Sequence, residues 1–284
     1  MIKAYYLLAK PGIIYGNALT AIGGYFLAAK GTFDLSLFLS MLFGLSFDIG
    51  SACVFNNVID KDMDSKMART KKRAMVTQVI PEFHAVIYGS ILGIIGFLLL
   101  LINTNVLTTV IAFIGFIFYV IIYGISKRKS VHGTVIGSIS GAMPPVVGYC
   151  AVTNNFDLGA FLLFIILVIW QMPHFYAIAI FRHDDYVAAS IPVLPVKRGL
   201  VQTKIQMVVY IVVIIIVDAL LTVFHYTGYT YLVVMTVFGL IWLGMTIQGF
   251  RTTDEKRWAR KVFFFSLILI TVFSLLLIGN SFLL

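Results

Sequence analysis

The sequence predicts an all-α polytopic membrane protein, about nine transmembrane helices bundled around a cytoplasm-facing cavity, and two observations carry that fold class. Of 284 residues, 60% are hydrophobic and 12% charged, whereas a soluble domain carries about 25% charged residues, so one aqueous core cannot hide the apolar surface. Long apolar runs also follow one another from Ile13 onward, most of them near the ~20 residues that cross the hydrocarbon layer as a helix.

The runs come in a fixed order. The first, Ile13 to Ala29, follows Lys3 and Lys10 and has no small-residue cleavage site after it, so it reads as a retained span rather than a leader. Leu35 to Val58 comes second and runs into an acidic and basic stretch. Ala85 to Ile102 and Val106 to Ile122 are joined by the short, uncharged Asn103-Thr104-Asn105. Thr134 to Val152 and Leu158 to Ile180 follow, the latter leading into a second loop with acidic, basic and proline residues. Ile205 to Phe224 and Tyr231 to Ile247 are joined by the equally chargeless His225 to Thr230, and Val262 to Ile278 is the ninth. There is no low-complexity segment, and residues 1–284 read as one domain.

Charge orients this series. The N-terminal segment and the stretches 59–84, 123–133, 181–204 and 248–261 hold 20 of the 21 Lys and Arg residues; Lys30 alone lies on the other side. Cytoplasmic loops are the ones enriched in Lys and Arg, so the N-terminus is expected inside, the C-terminus outside, in a plasma (inner) membrane. The net charge of +9 is therefore a topology signal, not a nucleic-acid footprint. Eight of the 12 acidic residues sit in the same inner segments, which orientation does not require. Carboxylates beside a basic face suggest a site handling a metal together with an anion. Asp34 and Asp157 fall outside, and Asp48 and Asp218 within spans. Cys53 and Cys150 have no paired spacing, which excludes a zinc or disulfide framework.

The second span ends in Asn56, Asp60 and Asp64, successive i,i+4 positions that line one face of a helix. Two carboxylates and an amide oxygen, one turn apart, are hard ligands of the kind Mg²⁺ takes when it also binds a substrate phosphate. Arg69, Thr70, Lys71, Lys72 and Arg73 follow, and guanidinium groups bind phosphate oxygens bidentately. Metal ligands followed by cations describe a diphosphate clamp, although positive charge at an inner helix end is also what topology alone demands.

Asn56-x-x-x-Asp60-x-x-x-Asp64 followed by Arg69-Thr70 and Arg73 resembles the signature of the UbiA-type intramembrane aromatic prenyltransferases. The sixth span adds Trp170 to Phe175 with its Pro173-His174 pair, then Arg182-x-x-Asp185-Tyr186 and Pro192-x-Leu194-Pro195. These stretches, with Lys10-Pro11-Gly12, Lys127-Arg128 and Gly141 to Pro145, resemble the heme O synthase branch of that family over nearly the whole chain. Where many members carry a second Asp-x-x-x-Asp ladder, this chain has adjacent Asp184 and Asp185. Neighbours in sequence point about 100° apart on a helix; the branch pattern matches at Asp185.

What the resemblance implies is specific. Asp60 and Asp64, supported by Asn56, would hold Mg²⁺ and farnesyl diphosphate. Asp185 would join them, and Arg69, Arg73, Lys127, Arg128 and Arg182 would neutralise the leaving diphosphate. The acceptor would be heme b, taken from membrane lipid through a lateral opening, with a terminal oxidase or a heme-handling protein as partner. His174 has two readings, a hydrogen bond to a neighbouring helix or a contact with heme iron. His132, after Lys129, is placed to meet a propionate or a phosphate. Asp48 and Asp218 would each cost about 2.5–3.5 kcal/mol if left alone at the membrane centre, and neither belongs to the motif. Tyr123, near Lys127, is a candidate to face a prenyl cation. Two other functions stand beside this one: prenylation of a quinone precursor, and solute transport through the intramembrane carboxylates.

Overall fold

A computed structural model describes residues 1–282. Among them are nine helices long and apolar enough to cross a membrane: α1 (Pro11–Ala29), α2 (Leu35–Ile59), α3 (Glu82–Asn103), α4 (Val106–Lys129), α5 (Gly133–Thr153), α6 (Leu158–Phe181), α7 (Leu194–Val223), α8 (Tyr229–Arg251) and α9 (Glu255–Asn280). Short helices Ile2–Leu8, Lys61–Asp64 and His183–Ala188 lie between or before them. All nine expected spans are present. Several run longer than their apolar cores: α4 continues through Lys129, α7 begins at Leu194 and α9 at Glu255. Hydropathy marks where lipid contact starts, while a helix stops only where its backbone hydrogen bonds do.

Four of the nine helix starts, those of α2, α4, α6 and α9, are capped by short polar side chains, which satisfy amides that the first turn leaves without partners. Asp34 accepts from the Leu37 amide, Asn105 from Thr108, Asp157 from Gly159 and Ala160, and Asp254 from Arg257. Asp34 and Asp157, the two carboxylates on the far side, are thus accounted for as caps. Pro144, Pro145 and Pro173 lie inside α5 and α6, as neighbouring helices allow in a membrane bundle. In α7 the chain bends at Gly199, whose φ of 80° a side chain would resist.

Helices that share a lipid solvent gain little from burying apolar area against each other, so close backbone approach at small residues matters more. A Cβ added at Gly148 would fall 2.0 Å from the Ala21 carbonyl oxygen, and one at Gly24 2.0 Å from that of Pro145. Those glycines let α1 and α5 cross nearly in backbone contact. α2 and α3 do the same at Gly44 and Gly96. Successive helices pack side by side, α1 also meets α5 and α9, and α9 meets α6. Buried apolar residues from all nine of these helices, α3 through Leu100, form one continuous core.

One irregularity bears on function. Residues Phe118–Tyr123 of α4 are wound as a π-helix, a rare widening that occurs often at functional sites. Below it α4 resumes as Gly124–Lys129 and carries Lys127 and Arg128 toward the end of α2.

Candidate functional site

The ladder read from the sequence exists. Asn56 is on the last turns of α2, Asp60 is the residue at which α2 ends, and Asp64 closes the short helix after it. They are 3%, 7% and 3% exposed, a severe desolvation for two carboxylates unless each is paired. Each rung has its cation. Lys127 donates to Asp60 Oδ2, with Arg128 3.7 Å from Oδ1. Arg73 donates to Asp64 Oδ2 at 2.7 Å. Lys10, which lies outside the spans, donates its ammonium to Asn56 Oδ1 at 2.7 Å; burial pushes Lys10 down to about 8, so it stays protonated at neutral pH.

The rungs keep one atom each for another partner. Asp60 Oδ1 and Asn56 Nδ2 are buried with no hydrogen-bond partner among the described residues. A buried carboxylate oxygen beside a second carboxylate suits a hard cation, and Mg²⁺ needs only one or two such ligands because it keeps waters and takes phosphate oxygens for the rest. The donor set therefore fits such a metal, and Asp60 and Asp64 are the residues that could hold it.

The surrounding loops are pinned to this ladder. Thr70 donates to the Asp64 carbonyl, and Asn57 donates to the Leu8 carbonyl while accepting from Arg73. Arg128 grips exposed Asp62 with both ends of its guanidinium, at 2.7 and 2.8 Å, and donates to the Ile59 carbonyl; that hydrogen bond holds the Asp62 carboxyl below the usual range. Asp185 accepts from the Ala68 amide at 2.9 Å, joining the loop after α6 to the loop after α2. Asp184 points elsewhere, to Lys256 at 2.6 Å, whose hydrogen bond lowers its carboxyl. The separation expected between the two adjacent aspartates is what the chain adopts.

Two of the five cations expected at the diphosphate, Arg69 and Arg182, make no ion pair among the described residues. Arg69 is exposed near Tyr186, whose hydroxyl burial pushes up against the pull of that guanidinium. Arg182 is exposed and lies 5.2 Å over the Phe181 ring. On α4, Lys127 sits 4.8 Å over the Tyr123 ring, and Tyr123 stacks on Tyr119 at 5.9 Å. A groove of about 510 Å³, with none of the ladder residues in its lining, runs over α2, α3 and α4 and is mostly apolar, with Phe55, Phe97 and Phe116 among its side chains.

Other residues stand apart from this cluster. His174 is buried on α6, hydrogen-bonded through Nδ1 to the Ser266 hydroxyl of α9 at 2.7 Å and stacked on Trp170. His132 is exposed at the start of α5. Asp48 is buried where α2 meets α3, with Oδ1 unpartnered, and Asp218 accepts from the Tyr231 hydroxyl at 3.3 Å. Sequence reasoning did not assign Lys10, Asn57 or Asp62 to the site. The one available signal for Lys10 was its place before Pro11, but a lysine ahead of a first span is also ordinary topology charge.

Comparison with known proteins agrees with this geometry. Residues 17–268 match the model of the UbiA prenyltransferase family. The chain is 51% identical to the protoheme IX farnesyltransferase of Protochlamydia amoebophila, over 97% of each chain. It is also 51% identical to that of Yersinia enterocolitica, over 98% of this chain and 94% of the relative. In fold it is similar to a solved digeranylgeranylglyceryl phosphate synthase, with TM-score 0.81 and 20% identity over 100% and 99% of the two chains. A UbiA homolog from Archaeoglobus fulgidus bound to GPP and Mg²⁺ superposes with TM-score 0.70, 14% identity and 97% and 99% coverage.

Proposed function

This chain belongs to the UbiA prenyltransferase family, and we infer from that premise that it transfers a farnesyl group from farnesyl diphosphate to a vinyl group of protoheme IX, with addition of water, to make heme O. The observation that carries the choice of acceptor is the 51% identity, over nearly the full length of both chains, to protoheme IX farnesyltransferases. The protein is an integral membrane enzyme.

The site's own chemistry supports each step. Asp60 and Asp64 would hold Mg²⁺, which when bound offsets the charge that develops on the diphosphate as its bond to carbon breaks. Arg69 and Arg182, which make no ion pair among the described residues, are proposed to take the diphosphate oxygens first, because no such bond has to be surrendered. Arg73, Lys127 and Arg128 hold the ladder in place and add positive potential around the leaving group. Asp185 holds the two loops together and so positions Arg69 and Arg182. The C–O bond breaks with its electron pair leaving on the diphosphate. The allylic cation is attacked by the terminal carbon of the heme vinyl, and the cation left next to the macrocycle takes a water and releases a proton. Tyr119 and Tyr123 offer ring faces to the positive allyl group. The apolar groove on α2, α3 and α4 is proposed to shelter the farnesyl chain, and His174 to contact the heme.

The orientation that goes with this reading places the ladder on the cytoplasmic side, with the N-terminus inside and the C-terminus outside. A terminal oxidase or a heme-handling protein is the proposed recipient of the product.

The test gives purified protein in detergent Mg²⁺, farnesyl diphosphate and either reduced heme b or 4-hydroxybenzoate, and weighs the separated products. Heme should gain one farnesyl group plus water. Prenylation of 4-hydroxybenzoate with heme untouched would leave the family standing and overturn the acceptor.

A further inference from the structure

We infer that Asn56 meets its substrate as a hydrogen-bond donor to a diphosphate oxygen, not as a third oxygen ligand of the cation, and that Lys10 is the positioning residue that makes it so. The inference deepens the prenyl-transfer reading and rests on it.

An ammonium group offers three donors and no acceptor. An amide that faces one at hydrogen-bond distance must turn its oxygen toward it, so the 2.7 Å contact from Lys10 to Asn56 Oδ1 decides which way the side chain points. The opposite flip would set the amide NH₂ against the ammonium, donor against donor. Asn56 Nδ2 is then the atom left over, buried and without a partner among the described residues.

The other two rungs come out with the opposite polarity from the same arrangement. Lys127 takes Oδ2 of Asp60 and Arg73 takes Oδ2 of Asp64. A carboxylate held at one oxygen still presents an oxygen. Along the ladder the remaining atoms are therefore an N–H donor, then two carboxylate oxygens. Only the last two can ligate a hard cation, and the first complements a phosphate oxygen.

Lys10 is fixed for this task. It sits between the helix Ile2–Leu8 and α1 with φ of 53°, a left-handed conformation uncommon for a residue with a side chain, and Pro11 follows it. Such conformations persist where surrounding structure holds them and gather at functional sites. The neighbouring amide is fixed as well, since Asn57 donates to the Leu8 carbonyl and accepts from Arg73. The segment before α1 thus braces the ladder at Asn56, as α4 does at Asp60.

The experiment reads two affinities separately on the full chain in detergent: MnCl₂ alone by electron paramagnetic resonance, and inorganic pyrophosphate alone, in EDTA, by calorimetry. A hydrogen bond to a charged group corresponds to roughly ten- to a hundredfold in affinity, so Asn56→Ala should weaken pyrophosphate by at least ~tenfold and leave Mn²⁺ within about twofold. Asn56→Asp, which keeps an oxygen and lacks the donor, should fail to restore pyrophosphate binding, whereas Lys10→Arg should keep it. Lys10→Met should weaken pyrophosphate in the wild-type background and add nothing in the Asn56→Ala background, because coupled residues are not additive. A parallel ~tenfold loss of Mn²⁺ affinity in Asn56→Ala, or rescue by Asn56→Asp, would overturn the donor role with prenyl transfer intact. Additive losses in the double variant would overturn the positioning role of Lys10. Wild-type protein that binds Mn²⁺ but no pyrophosphate, with or without the metal, would overturn the prenyl-transfer reading itself.

Discussion

Replacing Asp60 by asparagine removes one negative charge from the middle of the ladder while keeping its shape. In the native protein Lys127 donates to Asp60 Oδ2, and the two side chains are 9% and 10% exposed. Deleting one partner of a buried ion pair costs about 3–5 kcal/mol, because the other charge is left without compensation. Asparagine still gives Lys127 an amide oxygen, so the loss should fall to that of one charge-assisted hydrogen bond, about 1.5–3 kcal/mol. Catalysis should suffer independently and more, since Asp60 would hold the metal that offsets the charge developing on the diphosphate, and a fixed group with that task is worth about 10²–10³ in rate. Thermal unfolding in detergent measures the first effect. Formation of farnesylated heme, followed by chromatography and mass across a Mg²⁺ titration, measures the second. Chelation should silence the wild type and added Mg²⁺ should restore it. An Asp60→Asn protein with wild-type turnover and wild-type Mg²⁺ dependence would refute the assignment of this residue to the metal and diphosphate.

Three further outcomes are expected. Asp184→Ala removes an exposed, solvent-screened pair with Lys256 and should keep most activity; Asp185→Ala releases the loop after α2 from the loop after α6 and should cost up to about a hundredfold in turnover, the scale of a 1 Å misplacement. Equal activity in the two, measured with the same product assay, would count against the loop-joining role. Reporters fused near Lys71 and at the C-terminus should be active inside and outside respectively, and the reverse pattern would invert the proposed orientation. Gly148→Ala drives a methyl toward the Ala21 carbonyl, and the overpacking should lower stability by about 1–3 kcal/mol; an unchanged melting temperature would mean that α1 and α5 adjust freely.

Much of this molecule was legible because its rules act over short stretches of chain. Apolar runs marked all nine spans, and the i,i+4 spacing of Asn56, Asp60 and Asp64 placed three buried polar groups on one face. Pairing was not legible, because two of the pairs, Lys10 to Asn56 and Lys127 to Asp60, join residues far apart in sequence, and the third, Arg73 to Asp64, depends on the fold of the loop between them. A basic residue after a metal motif reads as a substrate cation whether or not a carboxylate of the protein already holds it. Three of the five cations expected at the diphosphate turn out to be bonded to the ladder or to Asp62, and only Arg69 and Arg182 make no such bond among the described residues. Asp34 and Asp157 were read only as charges outside the inner segments, although each stands directly before a span start, Leu35 and Leu158, that the structure keeps, which is the place of an N-cap.

The π-wound stretch in α4 has a consequence for how this chain tolerates changes in length. A π turn spends an additional residue without adding a turn, so removing a single residue between Phe118 and Tyr123 would let α4 close into an ordinary helix that still spans the membrane. Because the lost residue adds no turn, everything after it would keep its angular place, and Lys127 would still face Asp60. Descendants of this sequence should therefore accept one lost residue here far more readily than one lost from the regular helix on either side, where every later side chain would rotate by about 100° and the ladder would lose its buried counter-charge.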